Sequence, residues 1–93
     1  MPFTEPPDTT VFTTSRVTEQ HYPVLVVAHD ADDGAWQFLC GTTNDPRDGV
    51  TTSLARILER HPEIEELADL PLGWIAWRED EESGWVREPR PAA

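Results

Sequence analysis

Three carboxylates fall within four residues at Asp30, Asp32 and Asp33. Such clusters supply the hard oxygen donors of calcium loops, whose full pattern also needs a glycine at the sixth position and a bidentate glutamate at the twelfth. Counted from Asp30, those positions hold Ala35 and Gly41, so the pattern fails. His29 and Cys40 are the residue types of a thiol–imidazole pair, which works only at hydrogen-bond reach. If both lie in one hairpin, about 17 Å of strand separates them at ~3.3 Å per residue. Cys40 then reads as a small buried apolar residue. The histidines at 21, 29 and 61 and the lone cysteine lack the spacing of a zinc site. No metal and no cofactor is expected.

The other acidic groups form two stretches, Glu63, Glu65, Glu66 and Asp69 in one and Glu79, Asp80, Glu81 and Glu82 in the other. Either contains the carboxylates of an acid–base pair, but both have the composition of solvated helix faces and turns. No phosphate-binding glycine loop, Gly-x-Ser-x-Gly elbow or His-Glu-x-x-His helix occurs. No residue is therefore assigned a catalytic role. The expectation is a non-enzymatic domain that binds a protein partner through Asp30, Asp32, Asp33, Glu79, Asp80, Glu81 and Glu82. Trp85, beside the acidic turn, is the candidate anchor. A second reading is a small ligand-binding domain or enzyme centred on His29 and Asp30. A third is a homodimeric module that buries Leu25, Val27 and Leu39 between subunits.

Charge narrows the partner. Eighteen acidic residues stand against seven arginines and no lysine, a net charge of −11. Such a chain repels nucleic-acid phosphates and attracts a basic protein. Neither nucleic acid nor membrane is expected as a partner, because no long apolar run is present and the first residues lack the basic start and apolar stretch of a signal peptide. A single cysteine forms no intrachain disulfide, which fits a reducing compartment. Exclusive use of arginine with abundant Pro and Ala is the compositional mark of a GC-rich bacterial genome. A cytoplasmic bacterial protein is the expectation.

These groups must be held by a chain of 93 residues, enough for one core. Residues 23–41 read PVLVVAHDADDGAWQFLCG. Two runs of valines and aromatics flank an Asp-Gly reversal, the pattern of a β-hairpin. With residues 30–34 as the loop, Val24 faces Cys40, Val26 faces Phe38 and Ala28 faces Trp36 on an apolar side, while Leu25, Val27 and His29 lie on a mixed side. A slip of one residue would instead set His29 against Trp36.

Upstream, residues 1–10 read as a loose proline-rich tail, 11–16 as a strand and 17–22 as a connection. Downstream, GTTNDPRDG at 41–49 reads as a surface loop. Thr51, Thr52 and Ser53 offer N-caps for a helix whose buried stripe is Leu54, Ile57 and Leu58. His61-Pro62 interrupts it, and Pro62 opens a second short helix with Ile64 and Leu67 inward. Residues 73–79 alternate Trp74, Ala76 and Arg78 against Ile75, Trp77 and Glu79, with Trp36, Trp74 and Trp77 assigned to the core. A turn at 80–84, a last strand from Trp85 and a second tail at 88–93 complete the chain. The order predicts an α+β fold over residues 11–87, an antiparallel sheet of about five strands with the helices packed on one face.

The ordered segments PVLVVAHD, DGAWQFLCG and HPEIEELADLPLGWIAWRE resemble small uncharacterised bacterial proteins. In these a hydrophobic strand ending in His-Asp precedes a Gly-x-Trp-x-Phe strand and a Leu-Pro-x-Gly turn. They look distantly like the immunity-protein domains of polymorphic toxin systems, particularly the group formerly catalogued only as an uncharacterised domain. The resemblance spans residues 11–87 and rests on packing and turn motifs, so it implies shared fold before shared activity. It implies a binder of a protein toxin and carries over no catalytic residue.

Overall fold

The computed structural model describes residues 3, 5–20, 22–40 and 49–89. The chain builds β1 (Thr10–Thr14), α1 (Ser15–Glu19), β2 (Val26–His29), β3 (Trp36–Leu39), β4 (Gly49–Ser53), α2 (Leu54–Arg60), a 3-10 helix (Pro62–Leu67), β5 (Trp74–Trp77) and β6 (Val86–Pro89). The strands form one six-stranded sheet in the order β4-β1-β3-β2-β5-β6. The fold is α+β, and its sheet is mixed and wider than expected. Every neighbouring pair is antiparallel except β1 and β3, which run parallel.

The additional strand is β4. Residues read as a choice of helix caps pair along β1, from Thr10 opposite Ser53 to Thr14 opposite Gly49. Their β-branched side chains suit a pleated surface. Only Ser53 caps α2, its hydroxyl accepting from the Arg56 N–H at 3.3 Å. At the other end of β1 the expected strand stops early, because the Thr14 hydroxyl accepts from the Val17 N–H and opens α1 where a plain connection was expected.

The hairpin register differs by one residue from the expected one. His29 stands opposite Trp36, Val27 opposite Phe38 and Val26 opposite Leu39. The cause lies in the loop. The Asp30 N–H donates to the Ala35 carbonyl at 2.8 Å and the Gly34 N–H to the Asp30 carbonyl at 3.0 Å, so the loop closes over residues 31–34. Gly34 supplies the left-handed turn at φ 73°, and the Asp33 carboxylate accepts from the Ala35 N–H at 2.9 Å. Because side chains alternate, this slip exchanges faces along β2. Val27 turns fully into the core and Val26 turns out. Of the residues expected between subunits, Val27 is covered by its own chain, while Leu25 and Leu39 are half-buried.

The inner face carries Val11, Thr13, Val27, Trp36, Phe38 and Ala76. Against it pack Leu54, Ile57 and Leu58 of α2 and Ile64 and Leu67 of the 3-10 helix, the stripes expected from their spacing. The described part of the N-terminal segment lies against the core. Phe3 is 3% exposed and meets Trp36 edge-on at 5.1 Å, while the Trp36 indole N–H donates to the Glu5 carboxylate. The N–H groups of Leu54 and Ala55 donate to the Thr9 and Pro7 carbonyls, both at 2.9 Å. At the far end Glu88 and Pro89 of the expected tail belong to β6, and residues 90–93 lie outside the described residues. The loop expected at 41–49 also lies outside them, save Gly49, which opens β4.

Candidate functional site

His29 and Asp30 are neighbours in sequence and part company in space. The His29 ring stacks on Trp36 with centroids 3.9 Å apart, and its Nδ1 lies 2.8 Å from the Leu70 carbonyl oxygen. A carbonyl only accepts, so that nitrogen carries the proton. Asp30 follows on the other side of the pleat, its carboxylate accepting from the Gln37 side-chain amide at 2.8 Å. Gln37 sits opposite Ala28 and beside Phe12 on the outer face. The two side chains therefore lie on opposite faces of the sheet. Asp32 and Asp33 are exposed at the tip of the same loop.

The second acidic group sits at the opposite end of the sheet. The Gly73 N–H donates to the His29 carbonyl at 2.7 Å, whereas the Arg78 N–H donates to the Leu25 carbonyl at 3.0 Å. The loop holding Asp32 and the turn holding Asp80 therefore flank opposite ends of the β2–β5 pair. Five residue steps along the chain, on the order of 16 Å at ~3.3 Å each, separate Gly73 from Arg78. The seven acidic residues do not make one contiguous patch. Asp80 is itself a turn residue. Its Oδ1 accepts from the Ser83 hydroxyl and from the Glu82 and Ser83 N–H groups, each at 2.9 Å. The Ser83 hydroxyl and the Glu82 N–H lead in holding this carboxyl below its ordinary value.

Between the acidic turn and the core lies a residue that sequence reasoning passed over. Arg78 is buried, and its Nε and Nη2 donate to the Val24 carbonyl at 3.1 and 2.9 Å. Nη1 donates to the Glu81 carbonyl at 3.3 Å, and Nη2 lies 3.3 Å from the Glu63 carboxylate. The guanidinium also covers the Trp85 ring at 4.4 Å. Trp85, the candidate anchor, is partly buried and packs against the core beneath this cation. The exposed tryptophan is Trp77, at 38%. The alternation of residues 74–79 contained the signal, since it put an arginine on the same face as Trp74 and Ala76.

Trp77 belongs to a face that no helix among the described residues covers. Pairing places Leu39, Val26, Trp77 and Val86 in one row across β3, β2, β5 and β6. A second row runs through Phe12, Gln37, Ala28 and Ile75 to Glu88. Phe12 is 45% and Val86 42% exposed. Asp30 lies at one end of this apolar field and Glu88 on its β6 edge, while Glu79 is exposed in the bend just past β5.

On the helix side, His61 is buried beside a depression lined by Pro23, Arg60, Glu63 and Glu81. Burial lowers its pKa, partly offset by the Glu63 carboxylate 3.8 Å from Nδ1. Its Nε2 is buried without a hydrogen-bond partner. Among the described residues no group of three His, Cys, Asp or Glu is placed to hold a metal ion, and no helix is long and apolar enough to cross a membrane. His21 lies outside the described residues. Comparison of the chain with protein families, with curated proteins and with solved structures finds no match.

Proposed function

We propose that this domain is a non-enzymatic binder of a basic protein, acting in the bacterial cytoplasm in the manner of an immunity protein. The observation that supports the reading is the segregation of charge between the two sides of the sheet. Among the described residues, Arg78 and Arg87 reach inward to Glu63 and Asp69, Arg56 and Arg60 belong to α2, and Arg16 belongs to α1 with its guanidinium 5.6 Å from the Tyr22 ring centroid. The outer sheet face carries Asp30 and Glu88, with Glu79 exposed in the bend just past β5, and no described arginine. A field of one sign over an apolar centre steers and retains a partner of the opposite sign.

The test is capture from lysate of the source bacterium, followed by titration of each recovered protein against the purified domain. A partner with excess lysine and arginine should bind, and its affinity should fall as salt rises from about 0.05 to 0.5 M, a range over which the screening length shrinks several-fold. The triple variant Asp30→Asn, Glu79→Gln, Glu88→Gln should weaken it at least tenfold. Recovery only of partners whose binding ignores both salt and the triple variant would defeat the proposal.

A further inference from the structure

We infer that the helix-free face of the sheet is the docking surface for a basic amphipathic helix of the partner, an inference that rests on reading the domain as a binder of a basic protein. The row Leu39, Val26, Trp77 and Val86 crosses adjacent strands, with Phe12 and Ile75 in the row beside it. At ~4.8 Å between strands the row is about 14 Å long. That is close to three turns of an α-helix at ~5.4 Å per turn, enough for anchors at i, i+3 or i+4, and i+7.

The face also selects the occupant's backbone. Inside a sheet the strand amides and carbonyls are spent on the ladders, so the face offers side chains only. An incoming segment must satisfy its own backbone, as a helix does and an extended strand does not. Charge selects the flanks. Carboxylates at Asp30 and Glu88 border the apolar rows and Glu79 is exposed in the bend just past β5, so lysines and arginines beside the apolar stripe complete the fit. A second copy of this chain would bring the same carboxylates against their like, which disfavours self-association through this face.

The test uses the full chain and two synthetic 18-residue peptides, one with Leu at i, i+3, i+4 and i+7 among lysines, the other a scramble of identical composition. Titration calorimetry gives the affinities, and amide chemical shifts give the location. The striped peptide should bind at least tenfold tighter than the scramble, with shifts centred on Val26, Ile75 and Trp77. Trp77→Lys should remove that preference while leaving the scramble's weak, salt-sensitive binding unchanged. Val86→Lys, at an exposed edge position, provides the same readout if the Trp77 variant does not fold. Equal, salt-sensitive binding of both peptides would overturn the helix-docking inference and leave the basic-partner reading standing. Binding of neither would count against both. Shifts confined to the helix side, or a concentration-dependent dimer abolished by Val86→Lys, would overturn the inference in favour of another surface or of self-association.

Discussion

Arg78 joins parts of the chain that are distant in sequence, because one guanidinium serves the Val24 carbonyl, the Glu63 carboxylate, the Glu81 carbonyl and the Trp85 ring. Truncation leaves a buried carbonyl unsatisfied and strips Trp85 of its cover. Arg78→Ala should therefore cost about 2–4 kcal/mol, read as a lowered urea midpoint. Arg78→Lys should recover less than half, since a point charge cannot reproduce the planar fork. His61 makes a different prediction. Its pKa lies below the ordinary 6.5 in the folded protein, chiefly through burial. As pH falls through 6.5 the unfolded chain takes up a proton that the folded chain resists, so stability declines with falling pH and levels off only below the folded value. Urea unfolding at pH 7.5 and 5.5 should show this decline, and His61→Leu should shrink it. Asp69 and Asp80, held low mainly by Arg87 and by Ser83, lose their contributions only in a more acidic range, at and below the ordinary carboxyl value of 3.8.

Among the elements, the hairpin shows how a single loop sets a whole face. Gly34 holds φ 73° with its nearest outside atom 3.9 Å from where a Cβ would stand, so Gly34→Ala meets backbone strain and no clash. The cost should be about 1–2 kcal/mol by equilibrium unfolding. The two helices were legible because Leu54, Ile57 and Leu58, then Ile64 and Leu67, fall at helical spacing on either side of Pro62. β4 was not, because Gly49–Ser53 reads equally as strand and as a string of caps, and its pairing with β1 is a long-range choice. The hairpin was legible and its register was not, since one backbone bond from Asp30 to Ala35 decides it. Residues 74–79 put a tryptophan on each side, and only packing decides that Trp74 is partly covered and Trp77 left open.

For the whole molecule, the N-terminal segment completes the core. Phe3 meets Trp36 and Phe38, and Glu5 takes the Trp36 indole N–H. Phe3→Ala should lower stability by about 3 kcal/mol in a denaturant titration, the ordinary cost of emptying an aromatic site in a core.

The parallel contact of β1 with β3 also bears on how the chain is made. Parallel neighbours cannot be joined by a tight reversal, and here α1 and all of β2 intervene before Phe12 and Thr13 meet Gln37 and Phe38. On the ribosome the first strand thus emerges well ahead of both its flanking partners, and β4 is translated later still. A nascent chain halted before Gly49 leaves one side of Val11 and Phe12 without its final neighbour, an unpaired strand edge of the kind that exposes a partly made chain to misassembly.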